Sequence, residues 1–116
     1  MVDVSEARFE ELVADALDAI PEELGRLMDN VVVLVRDGQP HSGLLGWYEG
    51  VPLTERDAGY DGGMVMPDRI IIYRLPILAM CADDDEVVEQ VRITVVHEVG
   101  HHFGIDDDRL TELGWA

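Results

Sequence analysis

The segment from His97 to Asp107, which reads HEVGHHFGIDD, constrains this chain more than any other feature. A helix places positions i and i+4 on the same face, so two histidines with that spacing can bind one ion. His97 and His101 have this spacing, and the segment therefore predicts a helix that presents two imidazole nitrogens to a metal. Glu98 lies about a quarter turn round the helix, beside the metal, where its carboxylate can transfer a proton.

Zinc is the metal that this pair of histidines favours. It is redox-inert, accepts nitrogen and oxygen ligands, and keeps one position open for water. Water bound to zinc ionises near neutral pH rather than at about 15.7, and Glu98 can accept its proton as a general base. His102 points about 100° away from His101 by the helical repeat and is excluded as a ligand.

A third protein ligand is expected from the residues that follow the helix. Gly104 can adopt the left-handed conformation that ends a helix and turns the chain back toward the metal. Asp107 then lies six residues after His101, where HExxHxxGxxH enzymes place their third histidine. Asp106 and Asp108 flank this position and could substitute for it, but the spacing favours Asp107.

Two other designs of such a site do not fit the tail of the chain. A glutamate ligand from a later helix is excluded, because only fifteen residues follow His101 and Glu112 comes too early. A methionine turn beneath the metal is excluded because all five methionines precede His97. The apolar side chains of the tail are expected to support the site instead, and they are Leu110, Leu113 and Trp115.

The chain resembles the small bacterial zincin-like metallopeptidases with an aspartate as third ligand, the mini-zincins. The resemblance rests first on HEVGHHFGIDD and extends to LLGWYEG at 44–50, PLTER at 52–56 and PDRI at 67–70. It covers most of residues 5 to 115. It implies one compact domain over residues 1–116, with zinc on the positions that match His97, His101 and Asp107, and Glu98 as the base. It implies no particular substrate.

The expected function is therefore that of a zinc metallopeptidase, which hydrolyses peptide bonds by a metal-bound water with Glu98 as general base. Two alternatives stay open: a zinc-binding or interaction domain without catalysis, and a zinc hydrolase of non-peptide amides or esters. By the resemblance, the strand near 70–75 could pair with an extended substrate. Tyr73 and Arg74 are then candidate subsite residues. The candidates for stabilising the oxyanion are Tyr48, Tyr60 and His41.

The charge and composition of the chain limit the classes of partner that it is expected to bind. The chain has 25 acidic residues against eight arginines and no lysine, a net charge of −17. Nucleic-acid binding is not expected, since phosphates would be repelled, whereas basic peptides would be attracted at low salt. No apolar run approaches the eighteen residues that cross a bilayer, and the acidic N-terminus does not read as a signal peptide. One cysteine, Cys81, fits a reducing cytoplasm. A homodimer is possible.

The hydrophobic pattern predicts an α+β domain. Apolar residues recur at helical spacing from Phe9 to Leu24, where Pro21 should kink or restart the helix. Val31–Val35 and the segment from Ile70 to Leu75 are predicted strands, with a shorter strand near Leu44–Tyr48. Acidic residues at 83–86 should open the last long helix, whose Val88, Val95, Val99 and Phe103 should pack on the sheet. The result is a packing helix, a small mixed twisted sheet and a C-terminal active-site helix.

Overall fold

Helices surround a small sheet in the computed structural model, which describes residues 2–56 and 66–113. The helices are α1 (Glu6–Asp18), α2 (Glu22–Gly25), α3 (Arg74–Met80), α4 (Asp84–His102) and α5 (Asp107–Leu113). The strands are β1 (Val31–Arg36), β2 (Gly46–Glu49) and β3 (Asp68–Tyr73), and a 3₁₀ turn covers Leu53–Glu55. None of the helices in these ranges is long and apolar enough to cross a membrane.

The three strands form one mixed sheet in the order β1-β3-β2. β1 runs parallel to β3, with Val33 opposite Ile70, and β2 runs antiparallel to β3, with Tyr48 opposite Ile70. β3 is thus the central strand, and both of its edges are hydrogen-bonded. The prediction that the strand near 70–75 receives an extended substrate is wrong for this reason. β2 is the edge strand, and it packs against α4.

The core lies between one face of the sheet and the two longest helices. Ile70 and Ile72 point from β3 into this layer and are completely buried, as are Phe9 of α1 and Val91 of α4. The α+β architecture predicted from the sequence is confirmed. Val88 is an exception to the predicted packing, because it is 47% exposed and lies outside the core.

The ends of the helices follow the capping residues in the sequence. The Ser5 hydroxyl accepts a hydrogen bond from the Arg8 amide at the start of α1. Asp83 caps α4 in the same way by accepting from the Glu86 amide. α1 stops before Pro21, which begins the separate short helix α2, so the predicted restart is confirmed.

The helix α3 was not predicted. The sequence suggested a strand as far as Leu75, whereas the strand ends at Tyr73 and a helix begins at Arg74. A proline in the first turn of a helix costs no hydrogen bond, because the amides there have no partner within the helix. Pro76 therefore fits inside α3, where it is buried.

Candidate metal centre

The last turns of α4 bring the two predicted histidine ligands together. The Nε2 atoms of His97 and His101 lie 3.1 Å apart, one helical turn from each other. A carboxylate oxygen of Glu98 completes a group whose ligand atoms all lie within 4.8 Å of one another. Both histidines are partly buried, and Glu98 is only 6% exposed.

A helix-ending turn brings Asp107 back to the histidines. Gly104 has a φ of +84°, the left-handed conformation, and the Ile105 amide donates to the Gly100 carbonyl at 3.0 Å. The side chain of Asp106 accepts from the Arg109 amide at 2.9 Å and so caps α5. Asp107, the first residue of α5, is left to face the histidines.

The Asp107 carboxylate closes a triangle with the two imidazoles. Its Oδ1 lies 3.2 Å from His97 Nε2 and 3.1 Å from His101 Nε2. In a tetrahedral zinc site with bonds of about 2.0–2.1 Å, neighbouring ligand atoms lie about 3.3 Å apart. Three atoms with lone pairs at this spacing satisfy one another poorly by hydrogen bonding and match a single small cation well. The donor set of two nitrogens and one carboxylate oxygen fits zinc.

The environment of His97 favours the form that can bind a metal. Burial lowers the pKa of His97, and the neighbouring His101 lowers it further, while Asp107 opposes this effect. The imidazole therefore stays neutral near pH 7, with a lone pair available.

Glu98 has an environment suited to proton transfer. Burial, with the negative charge of Asp107 as a second cause, raises the pKa of Glu98 to about 7. The side chain packs against β2, where a Cβ on Gly46 would lie 3.1 Å from Glu98 Cγ. Glycine at position 46 therefore lets the edge strand approach the carboxylate closely.

His102 lies outside this triangle, as predicted, and belongs to a buried polar cluster. It is completely buried, and its Nδ1 lies 3.1 Å from Asp68 Oδ2. Burial would raise the pKa of Asp68, but hydrogen bonds from the Tyr48 hydroxyl, the Val51 amide, His102 and Arg56 hold it below the ordinary value. The sequence reasoning missed Asp68, although PDRI contributed to the resemblance.

The other candidate residues lie in different surroundings. Tyr48 donates its only hydroxyl proton to Asp68, which removes it as a donor to an oxyanion. His41 is exposed in the loop before β2. Tyr73 packs against Gly38, and Arg74 binds Asp37 and the Val4 carbonyl, so both have structural partners. Tyr60, Trp115 and the side chain of Leu113 lie outside the described residues.

Leu110 is the residue of the C-terminal tail that packs against α4 next to the site. It is completely buried, and a Cβ on Gly100 would lie 2.5 Å from its Cδ2. The small residue at position 100 thus allows α5, which begins with Asp107, to pack closely on α4. Cys81 is buried at the end of α3, and burial raises the pKa of its thiol.

A cleft adjoins the triangle on the side of His101. It has a volume of about 230 Å³ and lies between the 3₁₀ turn and the end of α4, with Thr54 and Ile105 in its walls. A larger apolar groove of about 410 Å³ lies between α1, α2 and α4. Its walls contain none of the four site residues, so the smaller cleft is the one that belongs to the centre.

A family model described as a zincin-like metallopeptidase matches residues 28–115. The chain belongs to the zincin-like metallopeptidase family. The match includes the triangle and the buried cluster around Asp68. No curated protein matches the chain. A solved structure of a conserved hypothetical protein from Thermo thermophilus is similar, with a TM-score of 0.57 and 25% sequence identity over 86% of this chain and 94% of that one. The resemblance to zincins noted in the sequence is therefore confirmed.

Proposed function

We propose that this zincin-like protein is a zinc-dependent peptidase in which His97, His101 and Asp107 hold the metal and Glu98 is the general base. The observation that carries the proposal is the triangle of ligand atoms, with sides of 3.1 to 3.2 Å, directly beside a buried glutamate. When bound, zinc lowers the pKa of a water in its open position and polarises the substrate carbonyl.

Glu98 performs the proton transfers in this mechanism. Its carboxylate accepts a proton from the attacking water and then delivers that proton to the leaving nitrogen of the peptide bond. Burial raises the pKa of Glu98 to about 7 in the metal-free protein, so its surroundings also accommodate the protonated form that the group must adopt between the two transfers. The neighbouring strand β2 limits access of water to the carboxylate, because Gly46 packs directly on it.

The edge position of β2 supports a peptide as the substrate. Among the described strands only β3 pairs with β2, so β2 is an edge strand of the sheet, and its Gly46 lies against Glu98. An extended peptide can add to such an edge as a further strand, and main-chain hydrogen bonds then orient the bond to be cleaved. The proposed role of the substrate-binding strand thus moves from β3 to β2.

A calorimetric titration with zinc tests the ligand set. Chelator-stripped protein should bind one zinc per chain, and Asp107→Ala should weaken the affinity at least tenfold, since a site with two ligands remains. Asp108→Ala removes the next carboxylate along α5 and is the matched control, which should bind as the unaltered protein does. Equal weakening by both variants would show a general effect of charge, and Asp107 would lose its assigned role.

A screen of a broad peptide library tests the base. Glu98→Gln should keep zinc and lower kcat by several powers of ten, because an amide cannot accept the proton. Glu89→Gln makes the same change on the exposed side of α4, more than two turns earlier, and should keep full turnover. Turnover retained in Glu98→Gln would contradict the mechanism. Zinc binding without cleavage of any peptide would favour a zinc-binding domain instead. The cytoplasmic location stays a prediction from the sequence.

A further inference from the structure

Three residues that the proposed mechanism does not use come from separate segments of the sequence and form a cluster around one buried carboxylate. Tyr48 lies in LLGWYEG, Arg56 in PLTER, and Asp68 in PDRI. Asp68 Oδ2 accepts hydrogen bonds from the Tyr48 hydroxyl and, at 3.0 Å, from Arg56 Nη2, while its Oδ1 accepts from the Val51 amide at 3.1 Å. Its side chain is only 2% exposed. A charge buried this deeply is costly unless every oxygen has donors, so the site is built around the carboxylate.

The first consequence concerns the last turn of α4. The Asp29 amide donates to His102 Nε2 at 3.2 Å, so that nitrogen carries no proton. The proton is therefore on Nδ1, which donates to Asp68 at 3.1 Å. His102 is held at both ring nitrogens, by β3 on one side and by the turn before β1 on the other. His101, the preceding residue, belongs to the same helical turn.

The second consequence concerns the turn that brings in Asp107. Arg56 donates to Asp68, to Asp29 at 3.0 Å and to the Val51 carbonyl at 2.9 Å, which fixes the 3₁₀ segment before it. Thr54 of that segment packs directly on Gly104, where a Cβ would lie 2.1 Å from Thr54 Oγ1. Gly104 is the left-handed residue after which the chain returns to the histidines.

We propose that Asp68 is a positioning residue for the metal centre. It fixes the position of His101 through His102. It fixes the position of Asp107 through Arg56 and the contact between Thr54 and Gly104. The proposal rests on the zinc site proposed above. A zinc site with short bonds needs its ligands within a few tenths of an ångström, and the groups that orient ligands commonly change metal affinity by about 10–100-fold when they are lost. Asp68 is hydrogen-bonded to both His102 and Arg56, so this one carboxylate can fix the position of His101 relative to that of Asp107.

The test is Asp68→Asn, which keeps the shape of the side chain. Its amide must direct NH₂ either at the three donors on Oδ2 or at the Val51 amide, so the cluster loses at least one hydrogen bond. The oxygen that remains is neutral and is a weaker acceptor for His102 and Arg56 than a carboxylate. Zinc affinity should fall at least tenfold by calorimetry, at a temperature where the metal-free variant is fully folded by circular dichroism. The visible spectrum of the cobalt(II) form should change in band position and intensity, because the ligands no longer match a tetrahedron. Asp15→Asn, the same change at an exposed position of α1, should leave both readouts as in the unaltered protein.

Other outcomes separate the two proposals. If Asp68→Asn is folded, binds zinc as tightly as the unaltered protein and has the same cobalt spectrum, then Asp68 only stabilises the fold and the inference is overturned. If that variant does not fold, Arg56→Lys takes its place with the same two readouts. Lysine keeps the positive charge but cannot donate in the three directions that the guanidinium group uses. An unaltered chain that binds no zinc overturns the proposed zinc site, and this inference with it. Normal zinc binding by the unaltered chain and by a folded Arg56→Lys variant with an unchanged spectrum overturns this inference alone.

Discussion

Glu98 illustrates how a single residue can be unfavourable for the metal-free fold and useful for the proposed reaction. Its carboxylate is almost completely removed from water and lies near the negative charge of Asp107, and both effects disfavour ionisation. A cation on the three ligand atoms would reverse the local field and favour the ionised base. The residue is therefore arranged for a site that holds a positive charge.

This arrangement predicts a pH dependence of stability in the metal-free protein. The pKa of Glu98 rises from 4.5 in the unfolded chain to about 7 in the folded one. The contribution of the protonated group to stability is thus complete below pH 4.5 and is lost as the pH rises through 7. The full shift corresponds to about 3 kcal/mol, which screening by water around the exposed Asp107 reduces to roughly 2 kcal/mol.

Glu98→Gln should therefore be more stable than the unaltered protein at pH 8 by about this amount, and the difference should shrink toward pH 4.5. Denaturant unfolding in the presence of chelator measures it. Glu10→Gln, at an exposed position of α1, is the control and should change little at either pH. A constant difference between Glu98→Gln and the unaltered protein across the pH range would show that Glu98 does not titrate in this window.

At the scale of elements, the turn between α4 and α5 determines whether the third ligand reaches the other two. Gly104 combines a left-handed φ of +84° with the close approach of Thr54. Gly104→Ala should lower the free energy of unfolding by about 2 kcal/mol, since both the conformation and the contact oppose a Cβ. Zinc affinity should fall as well, because Asp107 follows this turn.

Gly25→Ala is the matched control for that prediction. Gly25 lies in α2, and a Cβ there would meet no atom within 4 Å. Alanine favours a helix over glycine by up to about 1 kcal/mol, so this variant should be neutral or slightly more stable and should bind zinc unchanged. Denaturant unfolding and calorimetry on both variants are the measurements. Equal zinc affinity in Gly104→Ala and Gly25→Ala would show that the turn does not control Asp107.

Elements governed by local spacing were predictable from the sequence, and those governed by distant partners were not. The helical spacing of His97 and His101, and the glycine and aspartates after them, led to the arrangement of the site that the structure displays. The position of β3 in the centre of the sheet was missed, because strand order is decided by pairing between segments far apart. Asp68 was missed for the same reason. Its partners Tyr48, Arg56 and His102 lie 20, 12 and 34 residues away, so nothing near it distinguishes it from a surface aspartate.

At the scale of the whole molecule, the dominant feature is a net charge of −17. Ion pairs with the eight arginines leave most of the 25 acidic side chains without a positive partner. Within the described ranges, every arginine except Arg36 lies within 4 Å of a carboxylate, so these positive charges are already neutralised. The candidate centre shares in the excess of negative charge, since Asp107 is exposed within it and its chain neighbours Asp106 and Asp108 are exposed as well. A field of one sign around an open site raises the local concentration of oppositely charged substrates.

Cleavage of basic peptides should therefore depend on salt. For two peptides that differ only in having arginine or glutamine outside the cleaved bond, the ratio of their kcat/KM values should favour arginine at low ionic strength. We expect that ratio to fall several-fold between about 20 mM and 500 mM NaCl, because the Debye length shrinks from roughly 20 Å to about 4 Å. Asp108→Asn should reduce the low-salt ratio without changing cleavage of the glutamine peptide, since Asp108 lies beside the site and outside the ligand triangle. An equal effect of salt on both peptides would mean that the acidic surface maintains solubility and does not select substrates.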